Sequence, residues 1–269
     1  MTGAGRLATI LSMLRADAIP DSSLPKDLVD PAVLDVVLSI ESYLRPSLRG
    51  RRSAMEEVGA RLAAGGLVVI RDAFEPAFAE RMHRSLDTCT TWRVYERYKE
   101  HFHYHHHNLY EIGEYPPDLV WCGQVFDSAP TKAWATRLSG RQCVGPTAFS
   151  ASWYLPGDHS LPHTDAVASG TDANRQVAFV WHLAKDWQSQ WGGALYWCPR
   201  ALYLPPIFNT LLLFNVGPDT SHFVTQVSPY AQGKRLAING WWTGPASTGK
   251  RVVRAPDQID AGQVPIEIY

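Results

Sequence analysis

Apolar residues near the start of the chain recur every three or four positions, which is the spacing of one face of a helix. This spacing predicts two helices, one over residues 30–46 that Pro46 ends, and one that Ser53 opens and Gly65 closes. The apolar positions are Val33, Val37, Ile40 and Leu44 in the first helix and Met55, Val58 and Leu62 in the second. Neither helix carries a catalytic pattern, so we expect both to cover the outside of a sheet.

The pattern changes to short strands separated by turn residues from residue 149 onward. A short strand at 67–70, followed by a helix, precedes them, and residues 119–138 are partly helical. The predicted strands lie at 151–155, 163–165, 176–183, 194–197, 210–216, 223–227 and 236–242. Several short strands at this spacing favour a sandwich or jelly roll over a parallel sheet. Residues 211–214 are apolar on both faces, as expected where helices cover the outer sheet.

The composition sets limits rather than a function. The chain has 269 residues with 25 basic and 26 acidic side chains, so no global charge points to nucleic acid or a membrane surface as a partner. Its four cysteines form no C-x-x-C pair, which predicts reduced thiols rather than a zinc knuckle or a redox pair. The apolar stretch at 7–14 is interrupted by Arg15 and Asp17, so we expect a cytoplasmic protein without a signal peptide or a membrane span.

Candidate chemistry begins with His163 and Asp165, which on a strand would point to the same face. An imidazole beside a carboxylate supplies two of the three ligands of a 2-His-1-carboxylate site, which holds Fe(II) and leaves other positions open. The best third ligand is His222, near the start of a later strand. His159 lacks a carboxylate at the right spacing, and His182 lies mid-strand, where a structural role is expected. Hydrogen-bonded core histidines and a turn aspartate are the alternative interpretation of each residue taken alone.

A candidate anion site follows at Arg235, on an apolar strand thirteen residues after His222. Arginine is always charged and its planar fork grips a carboxylate with two parallel hydrogen bonds, so this position indicates an anchor for an acid. The alternative is one half of an ordinary ion pair. Because side chains alternate along a strand, Asn239 and Trp241 share the face of Arg235. We predict both as residues of the same cofactor-binding pocket.

The segment H-F-H-Y-H-H-H at residues 101–107 is the most unusual in composition. A strand here would place on one face His101, His103, His105 and His107, and on the other Phe102, Tyr104 and His106. One interpretation is a substrate-binding strand beside the mouth of a site, or a second metal site. The other, which we prefer on the sequence, is an exposed polar face.

An ordered series of motifs runs from about residue 67 to residue 244. It consists of Tyr154, Gly157, Asp158, His163, Asp165, R-Q-V-A-F-V-W-H-L at 175–183, W-G-G-A-L-Y at 191–196, His222 and R-L-A-I-N-G-W at 235–241. This series resembles the Fe(II)/2-oxoglutarate-dependent oxygenases of the prolyl-hydroxylase type, and within it the ribosomal-protein prolyl hydroxylases and their bacterial relatives. The resemblance implies an α+β fold, a double-stranded β-helix (jelly-roll) core with N-terminal helices packed on the outer sheet. It also implies a helical extension over 1–66, an oxygenase domain over 67–244 and a C-terminal tail of unknown role over 245–269.

The resemblance further implies the cofactors, which are Fe(II), 2-oxoglutarate as co-substrate, and O2. The three candidate ligands would then form the catalytic metal site, and Arg235 would bind the C5 carboxylate of 2-oxoglutarate. Tyr154, nine residues before His163, matches the family position whose phenol donates to the same carboxylate. Ala237 stands where some distant oxygenases carry a serine, so Tyr154 has to supply the hydroxyl here.

The implied reaction is oxidative decarboxylation of 2-oxoglutarate to succinate and CO2 with hydroxylation of an unactivated C–H bond. One hypothesis for the substrate is a prolyl residue in a polypeptide. A second is a free amino acid or a natural product, with hydroxylation, desaturation or cyclisation as the outcome. A third is a jelly-roll protein that binds metal without turnover, although such a protein has no need of an anion anchor such as Arg235. We expect no nucleic-acid or membrane partner, and the sequence leaves the oligomeric state open.

Overall fold

The structure is a computed structural model that describes residues 38–49, 52–99, 102–166, 174–245 and 266–268. Its helices are α1 (Arg52–Ala63), α2 (Pro76–Asp87), α3 (Pro117–Asp127) and α4 (Ala129–Ser139), with 3-10 turns at Ile40–Tyr43, Ile112–Glu114, Ser189–Trp191 and Cys198–Arg200. Its strands are β1 (Leu67–Ile70), β2 (Arg93–Lys99), β3 (Phe102–Leu109), β4 (Ala148–Tyr154), β5 (His159–Ser160), β6 (Asn174–His182), β7 (Leu195–Trp197), β8 (Leu202–Leu204), β9 (Thr210–Asn215), β10 (His222–Val224), β11 (Arg235–Gly244) and β12 (Ile266–Ile268).

Two antiparallel sheets pack face to face. The larger sheet has the strand order β12-β1-β9-β6-β11-β4-β3-β2, with β5 also paired to β3. The smaller sheet has the order β10-β7-β8. Apolar side chains of both sheets form one cluster between them, and the helices cover the outer side of the larger sheet. This arrangement confirms the predicted α+β class with a jelly-roll, double-stranded β-helix core.

The strand β9 is buried on both faces, as its apolar run predicts. Leu211 and Leu213 pack in the cluster beneath the helices, whereas Leu212 and Phe214 pack between the sheets. Helix α1 packs against β1 and β9. Each Å² of apolar surface removed from water stabilises the fold by about 25 cal/mol, so burial on both faces stabilises the position of β9. A rigid strand here gives the space between the sheets a fixed wall.

Several local predictions differ from the structure. His163 lies outside any strand and forms an isolated bridge with His222, so the predicted strand at 163–165 is wrong. Residues 119–138 form two helices because Ser128 ends α3 and caps α4, its side chain accepting from the N–H of Thr131. Of the helix predicted over 30–46, residues 30–37 lie outside the described residues. Leu38 is helical, Ile40–Tyr43 form a 3-10 turn, and Leu44 forms an isolated bridge with Phe74.

Other features concern the ends and the thiols. The strand β12, in the tail to which the sequence gives no role, pairs antiparallel with β1. All four cysteines are free thiols, and Cys122 and Cys143 are buried. None of the helices in the described part of the chain has the length and apolar character that crossing a membrane requires.

Candidate functional site

Three side chains converge where the two sheets meet, namely His163, Asp165 and His222. One potential ligand atom from each lies within 4.8 Å of the other two. His163 Nε2 lies 3.9 Å from Asp165 Oδ1, and His222 Nε2 lies 3.6 Å from Asp165 Oδ2. The backbones of the two histidines exchange N–H···O hydrogen bonds of 3.0 and 2.9 Å, which brings their rings together. The structure therefore places the three sequence-predicted ligands in one group.

Each imidazole of this group is oriented by a nearby backbone carbonyl. Nδ1 of His163 lies 2.8 Å from the carbonyl oxygen of Leu161, and Nδ1 of His222 lies 2.9 Å from that of Thr220. A carbonyl oxygen only accepts, so both Nδ1 atoms donate and both Nε2 atoms keep a lone pair for the centre of the group. Burial lowers the pKa of His163, and the neighbouring His222 lowers it further, which favours the neutral, metal-binding form.

The group lies on the wall of a cavity of about 690 Å³ between the two sheets. Alternate residues of β6, β7 and β9 face this space, as the two-residue period of a strand requires. They form an apolar wall of Ala178, Val180, Leu195 and Phe214. A cavity of this size accommodates a small acid together with part of a larger substrate.

Arg235, at the start of β11, lines the same cavity and is 2 % exposed. Its Nε donates to the carbonyl oxygen of Gly193 at 2.9 Å. Gly193 has a φ of +65°, and a Cβ there would lie 3.2 Å from Cγ of Arg235, so the second glycine of W-G-G makes room for the arginine. Burial lowers the pKa of Arg235 to about 10, and the guanidinium stays charged at neutral pH.

This guanidinium has no carboxylate partner among the described residues. A buried charge without a counter-ion is costly, so the cavity is built to receive an anion at this point. The alternative interpretation of Arg235 as half of an ordinary ion pair finds no support in the described part of the chain.

Tyr154 is the cross-strand partner of Arg235 on β4 and is 6 % exposed. The guanidinium carbon of Arg235 lies 4.6 Å from the centre of the Tyr154 ring, which is an attractive cation–π geometry. Burial raises the pKa of Tyr154 to about 12, so the phenol keeps its proton at neutral pH and can donate to an anion. The structure thus brings together the two residues expected to hold the C5 carboxylate, whose role stays a prediction.

Asn239 and Trp241 face the cavity from β11, at the positions that strand alternation predicts. Asn239 Nδ2 donates to Ser150 Oγ at 3.0 Å, and that hydroxyl donates to the backbone oxygen of Asn239 at 3.2 Å. This network leaves Asn239 Oδ1 unpaired, and Trp241 Nε1 is also buried without a partner in the described structure. An unmet buried polar group costs about 1–3 kcal/mol, so both atoms are available to pair with a molecule bound in the cavity.

The sequence analysis does not single out Arg175, a further residue of the site. Its Nη1 lies 3.6 Å from Asp165 Oδ1, and its guanidinium carbon lies 3.7 Å from the centre of the Trp241 ring. Arg175 therefore joins the candidate metal ligand to the indole across the cavity. The sequence feature that could have identified Arg175 is its charge near the start of the largely apolar strand β6.

Residues 102–107 of the histidine run lie on β3, which divides them between two faces, and His101 lies outside the described residues. Tyr104, His106 and Asn108 line the cavity, whereas His105 on the other face has Nδ1 2.6 Å from Oδ1 of the buried Asp158. The preferred interpretation as an exposed polar face is wrong for His106, which is 8 % exposed. The reason is that His106 faces the cavity and packs between the rings of Tyr95 and Tyr154. Among the described residues, no second group of three side chains is placed to hold a metal.

The two histidines considered as alternative ligands lie elsewhere. His182 is fully buried on β6, and burial, with a contribution from the charge of Arg235, holds its pKa far below the usual range. His159 Nδ1 lies 3.1 Å from the carbonyl oxygen of Gly157. Neither belongs to the metal-ligating group.

The residues present fit the groups that the resemblance implies. Two imidazoles and one carboxylate around a common point are the donor set that suits Fe(II) in a 2-His-1-carboxylate site. The unpaired guanidinium of Arg235, with the protonated phenol of Tyr154 beside it, suits one carboxylate of a dicarboxylic acid.

Comparison with known proteins gives the same family. The model of the 2OG-Fe(II) oxygenase superfamily matches residues 149–243, which include the three candidate ligands. Prolyl 3-hydroxylase OGFOD1 of Mus musculus is 29% identical over 126 residues, which cover 44% of this chain and 22% of that protein. Prolyl 3-hydroxylase sudestada1 of Drosophila melanogaster is 33% identical over 110 residues, which cover 35% of this chain and 19% of that protein. The chain spans about a fifth of the length of the curated relatives it matches.

Solved structures share the fold. A prolyl hydroxylase from Trichoplax adhaerens, in complex with a hypoxia inducible factor oxygen degradation domain peptide fragment, has a TM-score of 0.53 at 18% identity, covering 71% of this chain and 89% of that chain. An oxidoreductase of the 2OG-Fe(II) oxygenase family from Burkholderia pseudomallei has a TM-score of 0.52 at 15% identity, covering 70% of this chain and 89% of that chain. At these identities the likeness shows the fold alone.

Proposed function

We propose that this chain, a 2OG-Fe(II) oxygenase of the prolyl-hydroxylase type with Fe(II), 2-oxoglutarate and O2 as cofactors, hydroxylates a prolyl residue of a polypeptide. The observation that carries the proposal is one cavity lined both by a His-His-Asp group and by a buried guanidinium without a carboxylate partner. We propose residues 67–244 as the catalytic domain, with 1–66 as a helical extension packed on the core and 245–269 as a tail of unknown role.

The metal would be held by His163, Asp165 and His222, and the C5 carboxylate of 2-oxoglutarate by Arg235 and Tyr154. When both are bound, iron and 2-oxoglutarate would supply the chemistry that oxidises an unactivated C–H bond, with release of succinate and CO2. The protein orients the metal ligands, because the carbonyl oxygens that accept from both imidazoles fix the ring positions without a bound metal.

The apolar wall of the cavity and the Arg175–Trp241 pair have separate roles in this proposal. The wall over β6, β7 and β9 keeps water away from the reacting centre, which strengthens every electrostatic interaction inside. Arg175 and Trp241, packed on one another at 3.7 Å, form a flat surface beside Asp165 that orients the substrate. We propose that Asn239 Oδ1 and Trp241 Nε1 find their partners in the bound co-substrate or substrate.

The polypeptide part of the proposal is supported by aromatic residues around the cavity. Tyr95 stacks on Tyr104 with ring centres 5.1 Å apart and on Tyr110 with ring centres 6.1 Å apart, and all three line the cavity. Aromatic-lined grooves of this kind favour extended, proline-containing segments, whose rings pack on flat faces. The relatives named prolyl 3-hydroxylases make carbon 3 of the proline the position to examine first.

The cofactor part is tested by anaerobic titration of the metal-free protein with Fe(II) and 2-oxoglutarate. We expect a weak visible charge-transfer band, typical of a chelated 2-oxo acid, that appears only when both are added. A folded protein that gives no band under these conditions contradicts the proposal and favours a metal-binding jelly roll without turnover.

The substrate part is tested by mass spectrometry of a proline-containing peptide library incubated with Fe(II), 2-oxoglutarate and O2. We expect one added oxygen on proline, matched by succinate, and none on the same peptides with proline replaced by alanine. Free amino acids are incubated in parallel. Oxygen added only to a free amino acid would replace the polypeptide hypothesis with the small-molecule one.

A further inference from the structure

His106 belongs to a row of side chains that crosses the larger sheet from β2 to β11. Tyr95 and His106 are cross-strand partners with ring centres 5.9 Å apart. His106 and Tyr154 lie almost parallel, with ring centres 4.7 Å apart and an angle of 7° between the planes. Arg235 completes the row, its guanidinium carbon 4.6 Å from the centre of the Tyr154 ring. One face of the Tyr154 ring thus contacts a cation and His106 packs flat against the ring.

The charge state of His106 suits this position. Its Nε2 lies 3.4 Å from Nδ2 of Asn108, which only donates, so Nε2 accepts and the ring hydrogen is on Nδ1. Burial lowers the pKa of His106 to about 3, and the charge of Arg235 contributes to the decrease. The ring is therefore neutral at physiological pH and does not repel the guanidinium beyond Tyr154.

The orientation of the Tyr154 ring determines where its hydroxyl points. The ring is joined to the backbone through two rotatable bonds, and the broad χ2 preference of tyrosine does not by itself select one plane. A parallel aromatic neighbour does select one, and such a pair changes an equilibrium about twofold to tenfold beyond simple burial.

We propose that His106 is a positioning residue for the co-substrate, because its imidazole holds the Tyr154 ring where the phenol and Arg235 reach the same carboxylate. The inference rests on the proposed function, since the carboxylate in question is that of 2-oxoglutarate. It assigns to one member of the histidine run a role inside the cavity that needs no metal.

The test is the dissociation constant of 2-oxoglutarate for the Fe(II)-loaded protein, measured anaerobically from the charge-transfer band. We expect His106→Ala to raise this constant about threefold to tenfold and to leave the Fe(II) dissociation constant unchanged. His106→Phe keeps a flat ring and should stay within about twofold of wild type. An unchanged constant in His106→Ala, or an equal increase in the Phe and Ala variants, overturns the proposal.

The matched control is His105→Ala, on the same strand but facing Asp158 outside the cavity. It should leave 2-oxoglutarate binding unchanged, and an increase as large as that of His106→Ala would show that disturbance of β3 is the cause. If His106→Ala does not fold, His106→Leu replaces it, because leucine fills the volume without a flat ring.

A double-mutant cycle tests whether His106 acts through Tyr154. In a Tyr154→Ala background, removal of the His106 ring should change the 2-oxoglutarate dissociation constant by less than about twofold. The same increase in both backgrounds contradicts the inference. A wild-type protein that gives no band refutes the proposed function itself. A normal wild-type band, with unchanged 2-oxoglutarate dissociation constants in the His106 variants, refutes only the role of His106.

Discussion

Two regions of this protein are rich in histidine, and they are built in opposite ways. His163 and His222 are far apart in the chain and converge on Asp165, with Nε2 to carboxylate distances of 3.9 and 3.6 Å. The histidines of β3 are adjacent in the chain and diverge, because successive residues of a strand point to opposite faces. The difference teaches that a run of histidines is a poor guide to a metal site, whereas convergence of oriented ligand atoms is a good one.

The carboxylates of the two regions differ in the same way. Asp158, beside β3, accepts from the Leu155 N–H at 2.9 Å and contacts His105 Nδ1 at 2.6 Å, so its oxygens are occupied in holding a turn and a strand together. The carboxylate oxygens of Asp165 lie 3.6–3.9 Å from the nitrogens of the imidazoles and of Arg175, beyond hydrogen-bond distance. A satisfied carboxylate contributes to stability, and one with open positions can bind a metal.

The largest expected effect comes from removing one histidine from each region. His222→Ala should lower the affinity for Fe(II) more than about 100-fold and abolish succinate formation, because a missing ligand costs at least as much as a missing partner of a ligand. His107→Ala, on β3, should retain iron. The measurement is calorimetric titration of Fe(II) under anaerobic conditions. Normal succinate formation by the His222→Ala protein would remove this residue from the metal group.

Much of this contrast is visible in the sequence. The H-x-D spacing, the later histidine and the arginine beyond it predict the group at the cavity, although an isolated bridge between His163 and His222, and not the expected strand at 163–165, brings the ligands together. Strand alternation also places Asn239 and Trp241 on the cavity face correctly. The apolar pattern does not predict β2, because its residues R-V-Y-E-R-Y-K are mostly polar. The strand nevertheless pairs with residues 102–108 of β3.

The roles of His106 and Arg175 depend on that missing information. Alternation puts His106 on the face opposite His105, but only its packing between Tyr95 and Tyr154 at the cavity shows that this face is buried. Arg175 lies at the head of an apolar strand, and its contact with Asp165 depends on the path of the chain between them, which no local pattern specifies. The limits of the catalytic domain at 67 and 244 remain a prediction.

A smaller effect is expected at Arg235, which lies in the same row as His106 and Tyr154. Arg235→Ala should raise the 2-oxoglutarate dissociation constant about tenfold to a hundredfold, because it removes charge-assisted hydrogen bonds worth about 1.5–3 kcal/mol. Fe(II) binding without 2-oxoglutarate should stay unchanged. Titration of the charge-transfer band measures 2-oxoglutarate binding, and anaerobic calorimetric titration measures Fe(II) binding. The 2-oxoglutarate affinity of Arg235→Lys, which keeps the charge without the fork, should fall between those of wild type and the alanine variant. Equal affinity in wild type and Arg235→Ala would place the anion elsewhere.

The smallest expected effect concerns acid stability, and it separates His106 from a histidine exposed to solvent. An unfolded chain protonates this imidazole near its ordinary pKa of 6.5, whereas burial holds the folded pKa at about 3. Between these values the unfolded state binds more protons, so the folded state loses stability as the pH falls through that range. From pH 7 to pH 5.5 the contribution of His106 to this loss is about 1 kcal/mol. His106→Phe has no such group, so its free energy of unfolding should decrease by about 1 kcal/mol less than that of wild type over the same interval.

Urea unfolding of the two metal-free proteins at pH 8, 7 and 5.5 measures this difference directly. Between pH 8 and pH 7 the gap in free energy of unfolding between wild type and His106→Phe should stay nearly constant, because neither the folded nor the unfolded form of His106 is much protonated there. Below pH 7 the gap should shift in favour of the phenylalanine variant. Parallel curves down to pH 5.5 would mean that His106 takes up a proton as readily in the folded protein as in the unfolded one. A charged ring would then lie next to Tyr154 and repel Arg235, and the flat packing that sets this histidine apart from its neighbours on β3 would not be available to orient the phenol.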